Sequence, residues 1–76
     1  MINILLFAHL QEAIGESKIT WTELPITVGK LKQKIMEIYK TPLQSVMVAV
    51  NEEYADDHLE LKDGDTVAFI PPVSGG

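Results

Sequence analysis

Apolar and polar residues alternate along this chain at two periods, one near two residues and one near 3.6. Ile2 to Ala8 is a run of strand formers, with Ile2, Ile4 and Leu6 on one face and Asn3, Leu5 and Phe7 on the other. His9 to Ile14 reads as a short helical turn stopped by Gly15. Ser17 to Thr22 alternates Ile19 and Trp21 with polar neighbours and predicts a second strand, half exposed. Pro25-Ile26-Thr27 announces a helix with Thr27 as N-cap, and Val28, Leu31, Ile35 and Ile38 make one apolar stripe through Tyr39. Lys30, Lys32 and Lys34 are expected in water, and Lys30 stands where a glutamate would close a capping box. Thr41-Pro42 ends the helix, because proline disfavours helical geometry in the residue before it.

Val46 to Val50 is apolar on both faces and predicts an interior strand. Asn51-Glu52-Glu53 turns the chain, and Leu59 and Leu61 mark a short edge element. Lys62-Asp63-Gly64-Asp65 is a tight turn in which Gly64 is free to take positive φ, and it leads into a last strand, Thr66 to Ile70. The order of strand, strand, helix, then two or three strands predicts an α+β domain with one main helix across one face of a mixed sheet. There is no internal repeat and no linker, so residues 1–70 form one domain and residues 71–76 a tail.

At 76 residues the chain holds a single small core. Size scaling gives roughly 12,000 Å² of surface unfolded against roughly 4,600 Å² folded, too little bulk to wall a deep active site. The absence of cysteine removes disulfides, thiolate metal sites and cysteine nucleophiles. Six Lys plus Arg against eleven Asp plus Glu leave a net charge of −5, a poor balance for gripping nucleic acid. No segment approaches the roughly 20 apolar residues of a membrane span, and the N-terminus lacks the marks of a secretory signal. A cytoplasmic location without membrane attachment is the expectation.

Candidate chemistry is sparse. His9 and His58 have no acidic or histidine partner at ligand spacing and read as surface histidines. Asp56, Asp57, Asp63 and Asp65 do not have the spacing of a calcium loop and read as a solvated turn. No bound metal or cofactor is expected. The unusual feature is Pro71-Pro72-Val73-Ser74-Gly75-Gly76. The two prolines cannot continue a sheet and favour an extended conformation, so the six residues span roughly 20 Å at full reach. Without a Cβ, Gly75 and Gly76 can thread a narrow channel and deliver a carboxylate to a buried site. The competing view is a frayed terminus of small residues.

This ending resembles that of the small subunit of molybdopterin synthase, a sulfur-carrier family with the β-grasp (ubiquitin-like) fold. Ile4-Leu5-Leu6-Phe7-Ala8, Thr27-Val28 with Leu31, Ala49-Val50-Asn51, and the run from Leu61 to Phe69 are similar to the family's strands, helix start and turn. The stretch from Lys40 to Val46 is shorter than in some relatives, a difference that bears on a loop. The resemblance implies that an adenylating enzyme uses ATP and magnesium to activate the carboxylate of Gly76. A sulfur donor then converts the acyl-adenylate to a thiocarboxylate. The tail enters the large subunit, where its sulfur goes to a pterin precursor to build the dithiolene that binds molybdenum. It further implies a non-catalytic subunit without catalytic residues of its own, in a heterotetramer of two small and two large subunits.

Strand alternation adds a candidate docking face. With Ile2, Ile4, Leu6, Val67 and Phe69 turned to the helix, Leu5, Phe7, Ala68 and Ile70, joined by Met47 and Ala49, are expected on the opposite side, beside Pro71, Pro72, Val73 and Ser74. A loop covering this face is the alternative. From Glu52 to Asp65, seven acids face one lysine, which suits either steering toward basic partners or plain solubility. Two other functions share the tail chemistry: a sulfur carrier of thiamine thiazole synthesis, and a ubiquitin-like modifier attached through Gly76. Pro71-Pro72-Val73-Ser74 favours the synthase subunit.

Overall fold

A computed structural model describes residues 1–41 and 46–71. Its elements are β1 (Ile2–Leu6), α1 (Ala8–Ile14), β2 (Lys18–Trp21), β3 (Ile26–Thr27), α2 (Val28–Tyr39), β4 (Met47–Val50), β5 (Glu53–Tyr54), β6 (Glu60–Leu61) and β7 (Thr66–Ile70). Five strands form a mixed sheet in the order β2-β1-β7-β4-β5, with β1 and β7 parallel and the other neighbours antiparallel. The α+β arrangement expected from the sequence, one main helix on one face of a mixed sheet, is the one observed.

The period-two pattern of β1 and β7 places Ile2, Ile4, Leu6, Val67 and Phe69 in the core, each at most 2% exposed. Val28, Leu31 and Ile35 of α2 meet them from one side, with Val48, Val50 and Leu61 completing the cluster. Burying each such side chain contributes about 1.5–3 kcal/mol. The Lys30 N–H donates to Thr27 Oγ1 at 3.3 Å, so Thr27 caps α2 as its sequence position predicts. The short helix ends where expected too: Gly15 takes φ +88° and its N–H donates to the Gln11 carbonyl at 2.8 Å.

Four expectations are corrected. Ile38 is 58% exposed, because the core side of the last helical turn is taken by Tyr39, four residues beyond Ile35. Lys32 is not free in water: its ammonium lies 3.2 Å from Asp57 and its side chain is only 13% exposed. The segment around Asp57 folds over the start of α2, where its carbonyl accepts from the Gly29 N–H and the Leu59 carbonyl from the Val28 N–H. A Cβ on Gly29 would stand 3.0 Å from the Asp57 Cβ, so a larger residue here would press the Asp57 segment back by a few tenths of an ångström. Leu61 lies in a short edge element as expected, but Leu59 does not. That element is β6, which pairs with β3 as a separate two-stranded ribbon, while Leu59 is exposed. The chain also holds more strands than foreseen, since β3 precedes the helix and four strands follow it. Helix α2 stops at Tyr39 with Lys40 at φ +55°, before Pro42; residues 42–45, within the stretch expected to differ in length, lie outside the described residues.

Candidate functional site

The sheet face away from α2 holds the side chains that alternate with the core. Register places Leu5 beside Ala68, Ala68 beside Ala49, Ala49 beside Tyr54 and Met47 beside Ile70. The candidate docking residues Leu5, Phe7, Met47, Ala68 and Ile70 therefore come together on one surface, as strand alternation predicts. Phe7 and Met47 are nearly half exposed, and Leu5, Ala68 and Ile70 are half-buried. Two alanines at the centre, flanked by larger neighbours, make the surface concave. Leu5, Phe7, Ala49, Tyr54, Ala68 and Ile70, with Glu52 and Thr66, line a groove of about 360 Å³. Among the described residues no loop covers it.

Pro71 follows β7 directly and is half-buried, which sets the start of the expected tail at the end of a central strand. Pro72, Val73, Ser74, Gly75 and Gly76 lie outside the described residues.

Tyr54 and Glu52 escape the sequence reading of this surface. Asn51 and Glu52 form a two-residue hairpin loop between the paired Val50 and Glu53, both with positive φ (51° and 71°). The turn thus makes β5, and β5 carries Tyr54, 71% exposed, to the rim of the groove. Asn51 followed by a short polar pair was the available signal, since asparagine tolerates the left-handed region.

The hairpin is anchored. The Asn51 N–H donates to the Thr66 carbonyl at 2.8 Å, its side-chain Nδ2 donates to Asp65 Oδ1 at 3.0 Å, and its Oδ1 accepts from the Thr66 N–H at 3.0 Å. The other Asp65 oxygen accepts from the Lys62 N–H at 2.8 Å, inside the turn in which Gly64 takes φ +93°. These bonds, first from the Lys62 backbone and then from Asn51, favour the charged carboxylate and hold Asp65 below the usual carboxylate range. Asp65 is thereby engaged within the fold. No group of three or more His, Cys, Asp or Glu among the described residues is placed to hold a metal ion. His9 and His58 are both exposed, as expected.

The ThiS family model matches residues 4–76. The chain is 40% identical over 82 residues to the molybdopterin synthase sulfur carrier subunit of Dictyostelium discoideum, across 97% of this chain and 94% of that protein. SAMP1 from Haloferax volcanii superposes with a TM-score of 0.80 at 25% identity, covering 99% of this chain and 98% of that one. A chain in the complex of subunits 1 and 2 of the molybdopterin-converting factor from Helicobacter pylori superposes with a TM-score of 0.68 at 25% identity, over 99% of this chain and 97% of that one. The expected β-grasp, ubiquitin-like architecture is thus the one shared with these structures.

Proposed function

The chain belongs to the ThiS family, and on that footing we propose that it is the sulfur carrier subunit of a molybdopterin synthase. The observation that carries this is the similarity to a subunit of that name over 97% of the chain, together with a family match that reaches residue 76. The open apolar face beside the root of the tail supports it. A carrier must dock on a larger protein while leaving its terminus free to enter that protein's site.

The chemistry proposed for Gly76 follows from the poor electrophilicity of a carboxylate. An activating enzyme, using ATP and magnesium, joins the Gly76 carboxylate to AMP and releases pyrophosphate. A sulfur donor then displaces AMP: the acyl C–O bond to AMP breaks, a C–S bond forms, and the C-terminus becomes a thiocarboxylate. Its sulfur is a soft nucleophile, suited to attack on the pterin precursor inside the large subunit. Gly75 and Gly76 keep that approach narrow, and Pro71, Pro72, Val73 and Ser74 span the distance from β7. The catalytic groups belong to the partners, in a cytoplasmic heterotetramer of two small and two large subunits. No helix among the described residues is long and apolar enough to cross a membrane.

Intact-mass analysis of protein from cells tests the proposal. The expected species has one terminal oxygen replaced by sulfur. Deleting Gly76 is expected to leave folding and large-subunit docking unchanged and to abolish sulfur transfer; transfer by that variant overturns the carrier role. The likeness to SAMP1 keeps a modifier role as the second reading, and a ladder of proteins conjugated through Gly76 would favour it.

A further inference from the structure

Among the described residues, Glu52 is the only carboxylate lining the largely apolar groove. It is also the residue for which the hairpin turn is least suited. Its φ of +71° lies in the left-handed region, which glycine adopts freely and a long side chain does not. Asn51 beside it shares the positive φ but gains three hydrogen bonds to Asp65 and Thr66 in return. Those bonds fix the turn and hold Glu52 in place. The Glu52 carboxylate has no cationic partner within ion-pair distance among the described residues. A strained conformation held by its surroundings beside a surface groove is the pattern found at binding sites.

Resting on the carrier function proposed above, we propose that Glu52 is a specificity-determining contact, pairing with a lysine or arginine that the synthase large subunit sets at the edge of the apolar groove. The partner of this chemistry is an apolar plug seated over Leu5, Ala49, Ala68 and Ile70, with one cation reaching the hairpin. The apolar floor supplies affinity without direction. A single charge at its rim sets the docking register and penalises partners that lack the matching cation.

Binding of the full-length chain to its large subunit, measured across a salt series, tests this. Glu52→Gln is expected to weaken binding about fivefold at low salt. The difference should close near 1 M salt, where the screening length falls to about 3 Å. Glu52→Lys should weaken binding more than tenfold. Glu52→Gly is expected to move the two readouts in opposite directions, with weaker binding but a Tm raised by about 2–4 °C as the turn is relieved. Parent-like affinity and salt slope in both Glu52→Gln and Glu52→Lys overturn the assignment alone. Failure of the parent chain to bind the large subunit overturns it together with the carrier function.

Discussion

The two faces of the main sheet are made from alternate residues of the same strands, and they differ in what covers them. On one face Ile2, Ile4, Leu6, Val67 and Phe69 are sealed by α2 from the same chain. On the other, Leu5, Phe7, Met47, Ala68 and Ile70 are apolar as well, yet among the described residues nothing lies over them. The side chains follow that difference. The covered face is filled by branched and aromatic residues, whereas the open face sets Ala49 and Ala68 at its middle and so leaves a hollow. A strand that reads as apolar on both faces can therefore serve a core on one side and a visitor on the other. A chain of 76 residues has room for only one core, and it is on the second face that we propose the partner docks.

The sharpest test of this contrast is truncation on the covered face. Phe69→Ala removes a fully buried ring from the central strand and is expected to cost about 3–5 kcal/mol, read as a fall in the urea midpoint. On the open face, Phe7→Asp or Ile70→Asp is expected to weaken large-subunit binding by about 2 kcal/mol or more while keeping the native circular dichroism spectrum. Unfolding of both variants would erase the distinction and return these side chains to the core.

The smallest effect belongs to the clasp between the two turns. The carboxyl of Asp65 is held below its usual range, so its ionised form stabilises the fold above the unfolded value of 3.8. That contribution is lost as the pH falls through the lower, folded value. Asp65→Asn should therefore lower stability at pH 7 by less than about 1 kcal/mol, since the group stands near solvent, and the gap from the parent should vanish in strong acid. A gap that persisted would mean that the hydrogen-bond geometry, rather than the charge, holds the clasp.

Much of the fold is legible in the sequence wherever an element is long enough to show a period. Thr66–Ile70 has the predicted bounds, and Thr27 and Gly15 cap their helices as their residue types require. The failures have local causes. Two-residue strands such as β3, β5 and β6 are too short to carry a period, and they exist because other segments pair with them. Ile38 fits the helical stripe by spacing but lies in the last turn, where the core is already met by Tyr39. Lys32 reads as solvated because sequence cannot show that Asp57 folds back across the helix start. For the candidate site, alternation found the open face, yet Tyr54 and Glu52 depended on a turn type that sets which residue faces the groove. For the tail, the local pattern of two prolines and two glycines predicts a slender segment able to deliver a carboxylate, whereas the thiocarboxylate chemistry expected of Gly76 comes through family resemblance.

The position of β7 bears on synthesis. It is the latest described strand in chain order, yet it lies in the middle of the sheet, bonded to β1 on one side and β4 on the other. Pairing Asn3 with Thr66 closes a loop of about 60 residues, so this contact is among the most distant the chain makes. A nascent polypeptide on the ribosome cannot complete its core until that strand has emerged. Products aborted before it have no central strand, and any enzyme that recognises the finished globule would pass them by.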